Sequence, residues 1–507
     1  MSGQDTTATG RGAKAQDLWR GLSLTAYLSL VLWWFWGQVI NHDSSWFLHA
    51  TADWLSGARL YQDILEVNPP LIFLHHVPAI LLSHALGITP TQAFYSEMLV
   101  LIGVSLWWST RIIARTHSNR AAWIFLAGGA LLLVFPFGRH IGQREHFLAI
   151  CLWPYLAAHL ARPDADSGAK GALTAAFAAA GLLLKPHFLL IPLGVTLGRM
   201  LADKRWSSAM TAGNLVIAAA CIGYILLARL LAPAYFGTII PLAIETYGAY
   251  QLAPLRFLLN VMPWLLLPVF AVLLAARSTG LPRGSSSVLL AASGALCVYV
   301  AQGNGFDYHA IPLFACLGLF YCWLAAMSAD RRLVMLALAA FVLHAQFTFQ
   351  TRPYRYAMKE VLAGYLAGSQ PARSIVVVSA DIFPYFPLID LFGTRWLGSF
   401  PVQWPVAGPV LELAQRDCTT DADRCARLRG HISYAVERTA RDIVGKRPDL
   451  VIFDTNSQFF WPLNPEGAFD LEALYFANPD LAAAMADYRL VGQEENHRFW
   501  RRVSAAP

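Results

Sequence analysis

Asn41-His42-Asp43-Ser44-Ser45-Trp46 follows the first strongly apolar segment of the chain. An amphipathic run then leads through Gly57 and Tyr61-Gln62-Asp63 to Glu66-Val67-Asn68-Pro69-Pro70-Leu71. A carboxylate one step beyond a membrane helix, followed by a helix able to lie flat on the bilayer, is a costly arrangement. Insertion scales put the penalty for a charge at membrane depth at about 3 kcal/mol. Charges held at that depth are kept for function, so this stretch reads as the reactive face of a membrane enzyme that the other helices present.

Composition places most of the chain in lipid. Of 507 residues 56% are hydrophobic and 14% charged, against about 25% charged in soluble proteins. The net charge of +6 has a simple source in a membrane protein, the basic residues of cytoplasmic loops. No basic, aromatic-interleaved soluble module points to nucleic acid. Residues 1–19 are small and polar and are expected to be a disordered cytoplasmic tail. No small-residue cleavage site follows the first apolar run, which reads as a retained anchor.

A span needs about 20 apolar residues. Candidates are roughly 20–40, 94–113, 120–137, 146–161, 171–184, 187–200, 207–232, 256–276, 286–302, 309–327 and 332–350. Segment 70–87 is apolar too, and counting it as a span would swap the side of every later loop. Positive charge decides. With 70–87 re-entrant and the N-terminus inside, one set of loops holds Arg111, Arg115, Arg120, Arg162, Lys170, Arg199, Lys204, Arg205, Arg277, Arg283, Arg331 and Arg332. The other set holds Arg59, Arg139, Arg144 and Lys185. The positive-inside rule therefore gives eleven spans, N-terminus inside and C-terminus outside.

Beyond about residue 350 the chain changes character. Short β-branched runs such as Ile375-Val376-Val377-Val378 and Leu450-Val451-Ile452-Phe453-Asp454 read as buried strands. Residues 408–445 have helical patterning, and Tyr488 to Val503 read as a terminal hairpin around Glu494-Glu495-Asn496. The fold class is a polytopic α-helical membrane protein of about 11 spans, with juxtamembrane helices in the first outward loop and a C-terminal α/β extracytoplasmic domain. Its expected divisions are 1–19, 20–350 and 351–507. Five cysteines fall in spans, while Cys418 and Cys425 lie in the tail. An oxidising compartment would join the latter two; a helix carrying two free thiols fits the spacing equally well.

Under this topology the outward loops gather polar residues. The first gives Asp43, Asp53, Asp63, Glu66 and Asn68, and the next gives Gly138-Arg139-His140-Ile141-Gly142-Gln143-Arg144-Glu145-His146. Lys185-Pro186-His187, then Glu245 and Tyr247, then Gln302-Gly303-Asn304-Gly305-Phe306-Asp307-Tyr308-His309 follow. Cationic donors suit a lipid-linked phosphate, and a carboxylate within reach of a hydroxyl suits a general base.

The order of these motifs resembles the GT-C superfamily of membrane glycosyltransferases. An Asp follows the first span, then an amphipathic helix, Gly-x-x-x-Tyr-x-Asp, Asn-Pro-Pro-Leu, Arg-Glu before the fourth span and Gly-Leu-Leu-Leu-Lys-Pro. The resemblance covers about residues 20–350 and is nearest to the protein O-mannosyltransferase and aminoarabinose-transferase branch. It implies an inverting transfer of a sugar from a polyprenyl-phosphate donor to a glycan, lipid or protein acceptor of the cell envelope. Asp43 matches the family's catalytic Asp, and Lys185 matches the Lys of its Lys-Pro turn. Glu145, preceded by Arg144, stands where the family usually has Asp, and Asn68 replaces a basic residue. The implied roles are Asp43 as base, with Arg144, Lys185 and His309 on the leaving phosphate. Glu66, Asn68, Glu145 and His146 would position substrate or a divalent cation (magnesium or manganese), which some relatives use. The implied setting is the periplasmic face of a bacterial inner membrane.

Structural alternatives stand beside these roles. Asp43 can cap a helix starting near Ser45, although its place directly after the first span favours the base. Arg144 can snorkel to headgroups, but Glu145 beside it favours the site. Asp63 and Glu66 suit a turn before Pro69 equally well. His75 and His76 read as surface histidines. A transporter of lipid-linked glycans is the alternative function. Such proteins tend to have inverted repeats and broken helices at the midplane, whereas here the polar residues lie at one membrane face and no repeat is visible, which favours the enzyme.

Overall fold

The computed structural model describes residues 6–134, 138–161, 168–247, 254–303, 306–348, 358–368, 370–455, 460 and 469–503. In chain order the first helices are α1 (Thr6–Phe35), α2 (His42–Leu55), α3 (Leu71–Leu86), α4 (Pro90–Thr116), α5 (Asn119–Val134), α6 (Arg144–Ala161) and α7 (Ala169–Leu182). Then come α8 (Leu190–Asp203), α9 (Ala212–Leu231), α10 (Ile240–Thr246), α11 (Pro254–Thr279), α12 (Ser285–Gln302), α13 (Ile311–Met327) and α14 (Arg331–Thr348). The tail adds α15 (Lys359–Leu366), β1 (Ser374–Val378), α16 (Tyr385–Leu391), β2 (Arg395–Trp396), α17 (Trp404–Gln415) and α18 (Ala422–Lys446). It closes with β3 (Leu450–Asp454), α19 (Leu471–Phe476), α20 (Pro479–Met485), β4 (Tyr488–Glu494) and β5 (His497–Arg502).

Each of the eleven expected spans corresponds to one of these helices, and the protein is a polytopic helical membrane protein with a C-terminal domain. By length and composition α4, α9, α12 and the segment Asp307–Met327 are long and apolar enough to cross a bilayer. Helix α1 begins at Thr6 rather than near residue 20, so the expected disordered tail is largely helical. Extending a formed helix adds one hydrogen bond for each residue fixed, which is far easier than nucleating one. Residues 1–5, Arg162, Asn304 and Gly305 lie outside the described residues.

The chain divides into two compact units. The first comprises residues 1–38, 81–227 and 252–353. Every residue of α6 is buried, and so is almost all of α13. Helix α9 instead exposes Leu215, Leu226 and Leu227. An all-apolar helix buried on every side belongs in the bundle centre, and one whose leucines point outward belongs against lipid. Helices α8 and α12 approach until a Cβ on Gly194 would lie 2.1 Å from the Leu290 carbonyl oxygen, and one on Gly294 would lie 2.3 Å from that of Leu190. Small residues permit this approach, and in lipid close packing is what holds helices together.

The second unit comprises residues 39–80, 228–251 and 354–507. Its five-stranded sheet runs β2-β1-β3-β5-β4. Strand β1 pairs in parallel with β2 and β3, with Val376 opposite Val451, and β5 pairs antiparallel with β3 and β4. The expected strands and terminal hairpin are present. The hairpin turns at Glu495, whose φ is +50°. Cys418 and Cys425 are joined in a disulfide, which resolves the two readings of their spacing.

The tail does not fold from contiguous sequence alone. The Leu65 N–H donates to the Ser399 carbonyl at 2.8 Å, and Trp404 Nε1 donates to the Leu65 carbonyl at 3.3 Å. A Cβ on Gly408 would meet the Thr246 carbonyl oxygen of α10 at 1.9 Å. Glu245 takes Arg424 Nη1 at 2.8 Å and His431 Nε2 at 3.0 Å from α18. The first loop and the loop containing α10 are therefore structural parts of the C-terminal unit.

Candidate active site

In the first unit, the turn before α6, the Lys-Pro break and the end of α12 bring their polar groups together. Lys185 precedes a short 3-10 turn, Pro186–Leu189, because proline supplies the first helical position without needing an N–H. Lys185 Nζ donates to Glu145 Oε1 at 2.5 Å and to Gln302 Oε1 at 2.8 Å. Its ammonium also lies 5.8 Å from the Phe188 ring centre. His309 Nε2 is 3.8 Å from the same Glu145 oxygen. Glu145 is wholly buried and Arg144 and His309 nearly so. Glu145 Oε2 has no hydrogen-bond partner among the described residues. Three basic side chains thus gather on one buried carboxylate, an arrangement that carries more positive than negative charge.

Beside it, Asp307 Oδ2 accepts from Arg139 Nη2 at 3.0 Å and lies 3.1 Å from His140 Nε2. These contacts tie the turn before α6 to the segment leading into α13. His146 serves that turn too. Its Nδ1 accepts the Gly142 N–H at 3.1 Å, and its Nε2 donates to the Leu133 carbonyl at 2.8 Å.

In the second unit, Asp43 stands in the first turn of α2. The cap belongs to Asn41, whose side chain accepts from the N–H groups of Asp43, at 2.9 Å, and Ser44, at 3.4 Å. Asp43 is therefore not the cap of its helix. Its Oδ1 lies 3.5 Å from His42 Nε2. Further along α2, His49 Nε2 pairs with Asp53 at 3.4 Å and lies 3.3 Å from the Trp396 carbonyl. Burial lowers the proton affinity of His49, but its hydrogen bond with Asp53 and the charges of Asp53 and Asp390 outweigh this, and its pKa is raised.

The rest of the first loop shapes itself. Glu66 Oε2 accepts from Trp46 Nε1 at 2.6 Å, and its Oε1 accepts the Asn68 N–H at 3.0 Å and Asn68 Nδ2 at 2.5 Å. Tyr61, at φ +66°, donates its hydroxyl to the Asn68 carbonyl at 2.7 Å. Asp63 holds Arg59 at 3.0 Å. Glu66 and Asn68 thus build the turn into Pro69-Pro70. His76 is buried against Phe47 and bonds the Ile72 carbonyl at 2.8 Å, so it is not a surface histidine.

These donors do not fit a divalent cation. Glu145 is already neutralised by an ammonium, and both ring nitrogens of His146 hold backbone groups. Among the described residues no group of three or more His, Cys, Asp or Glu side chains has metal-binding geometry.

Gln302 and Asp307 were not singled out from sequence. A neutral amide ending an apolar helix carries no distinctive pattern. Asp307 lies two residues before His309 in a loop already marked as polar, and that proximity was the available signal.

No family model and no curated protein matches this sequence. Solved structures do. ArnT from Cupriavidus metallidurans bound to undecaprenyl phosphate aligns with TM-score 0.55 at 12% identity, covering 96% of this chain and 99% of that one. This chain shares the fold of ArnT. The apo state of that ArnT aligns with TM-score 0.54 at 12% identity, covering 99% of this chain and 100% of that one. The likeness to ArnT extends through the C-terminal unit, beyond the residues that carried the sequence resemblance.

Proposed function

We propose that this protein is an inverting glycosyltransferase that moves a sugar from a polyprenyl-phosphate donor to a cell-envelope glycan, lipid or protein. The observation that carries the reading is the buried Glu145, on which the part-buried Lys185, His309 and the charge of Arg144 converge, at one end of a helix bundle with the ArnT fold. Water-excluded cations with one carboxylate among them favour an anion. A phosphate on a lipid chain is the anion a membrane bundle would meet. The ArnT crystal structure holds undecaprenyl phosphate, which supports the same ligand class here.

In this reading Asp43 takes the proton of the acceptor hydroxyl. The acceptor oxygen bonds to the anomeric carbon from the side opposite the phosphate, and the bond from that carbon to the phosphate oxygen breaks. The polyprenyl phosphate leaves with the electron pair, and its added negative charge is met by Lys185, Arg144 and His309. Cationic stabilisation of the leaving group removes the need for a general acid. Glu145 and Gln302 hold the Lys185 ammonium in place. The disulfide supports an oxidising, periplasmic setting for the C-terminal unit, and the distribution of basic loops supports an inner-membrane protein with a cytoplasmic N-terminus.

The test is mass spectrometry of envelope glycans from cells with the protein, without it, and with Asp43→Asn. A sugar present only with the wild-type protein supports the reading. Identical glycans in all three would refute transfer, and an Asn variant that restores the full product would remove Asp43 as the base.

A further inference from the structure

A cavity of about 1470 Å³ opens in the first unit, lined by His117, Leu160, Lys170, Arg283 and Trp323 among others. It lies where α6 and α13 end and where α7, α12 and α14 begin. Glu145 and Gln302 lie at the other ends of α6 and α12. At 1.5 Å per residue, the 18 residues of α6 separate the two places by about 27 Å. The cavity is therefore distinct from the site proposed above and does not depend on that reading.

Its wall is fixed. Trp323 is buried, donates Nε1 to the Arg283 carbonyl at 3.0 Å and meets the His117 ring edge-on at 5.1 Å. Gly284 has φ +83°, and a Cβ there would lie 3.0 Å from Leu160 Cα, so the turn carrying Arg283 rests directly on the end of α6. Leu160, Leu281 and Met327 supply apolar lining. The charged lining residues are Lys170, Arg283 and Asp330. Asp330 Oδ1 accepts the Arg332 N–H at 2.8 Å, capping α14. Two exposed cations therefore border an apolar recess at the bundle end where α4 finishes with Arg115 and α14 starts with Arg331 and Arg332. Basic pockets of this kind between helices suit anionic lipid headgroups, and the volume exceeds what a lone phosphate would fill.

We propose that this opening binds an anionic phospholipid, its phosphate on Lys170 and Arg283 and the start of an acyl chain along Leu160, Leu281 and Met327. The test uses the full-length protein, delipidated in detergent and followed by native mass spectrometry. It is titrated with phosphatidylglycerol and with phosphatidylcholine of the same chains. The wild type should take up phosphatidylglycerol at about tenfold lower concentration. Lys170→Gln with Arg283→Gln should abolish that preference, and both side chains are exposed, so the fold should persist. Arg489→Ala on β4 should leave it unchanged. Equal uptake of the two lipids by the wild type, or a preference that survives the double substitution, overturns the site. Inorganic phosphate that displaces the lipid at equal concentration overturns the lipid as its ligand.

Discussion

At the scale of single residues, the Glu145–Lys185 pair governs what can be changed. Removing one partner of a buried ion pair strands the other and costs about 3–5 kcal/mol. Lys185→Met should therefore lower the melting temperature in detergent more than the double change Glu145→Gln with Lys185→Met. A single change that costs no more than the double would mean the pair is not coupled. Asp43 behaves differently because Asn41 holds the helix cap. Asp43→Asn should leave the melting temperature unchanged while transfer falls by about 100-fold or more. Asn41→Ala should cost about 1 kcal/mol of stability, seen as a lower melting temperature. Asp43, Arg144, Glu145, Lys185 and His309 stand out in the sequence because each is a titratable group beside an apolar run, but no local pattern says that Lys185 and His309 meet on Glu145. His146 was read as a possible ligand from adjacency to Glu145 alone. Adjacent helical residues point in different directions, and its two nitrogens hold the turn instead.

At the scale of elements, close approach and charge do separate work. Gly194 and Gly198 face α12 at backbone contact, and a valine at Gly194 has no room for its side chain. Gly194→Val should separate α8 from α12, displace Gln302 at the end of α12, and lower both melting temperature and donor binding. A variant that melts like wild type would contradict that packing. Sequence does not name the partner of the Gly194-x-x-x-Gly198 face, because small-residue spacing alone does not say which helix packs against it. The helix α10 is held through Glu245, whose pKa is lowered by its hydrogen bond with His431 and by the charges of His431, Arg424 and Arg427. A depressed carboxylate contributes stability above its unfolded pKa, near 4.3, and loses it as pH falls through the lower folded value. Protection factors in 240–246, corrected for the intrinsic pH dependence of exchange, should be high at pH 6 and fall as acid protonates Glu245. Protection factors that are already as low at pH 6 as in acid would show the clamp absent. Hydrophobic length revealed a helix at each of the eleven candidate spans, since bilayer thickness sets it, whereas short helices such as α10, α15 and α19 carry no such mark. Helix ends were less legible, as α1 shows, because polar residues next to an apolar run join its helix at little cost.

At the scale of the whole molecule, the sequence divided the chain by composition, and the structure divides it by contact. The loop of residues 39–80 lies between two apolar segments, so composition assigned it to the membrane domain. It instead groups with residues 354–507, to which Leu65 is tied through Ser399 and Trp404 and Asp63 through Arg438 at 3.9 Å. Such pairings across more than 300 residues have no local signature. Deleting 354–507 should therefore abolish transfer outright and make 39–80 sensitive to protease. Normal turnover by the truncated protein would show that the loop folds without the tail. The most direct measurement is the affinity of purified full-length protein for undecaprenyl phosphate, compared among wild type, Lys185→Ala and Asp43→Asn. The expected result is binding by wild type and Asp43→Asn alike and a loss of about tenfold or more in Lys185→Ala. Undecaprenyl phosphate held equally well by Lys185→Ala, or not held by the wild type, would contradict the buried cationic cluster as the phosphate site.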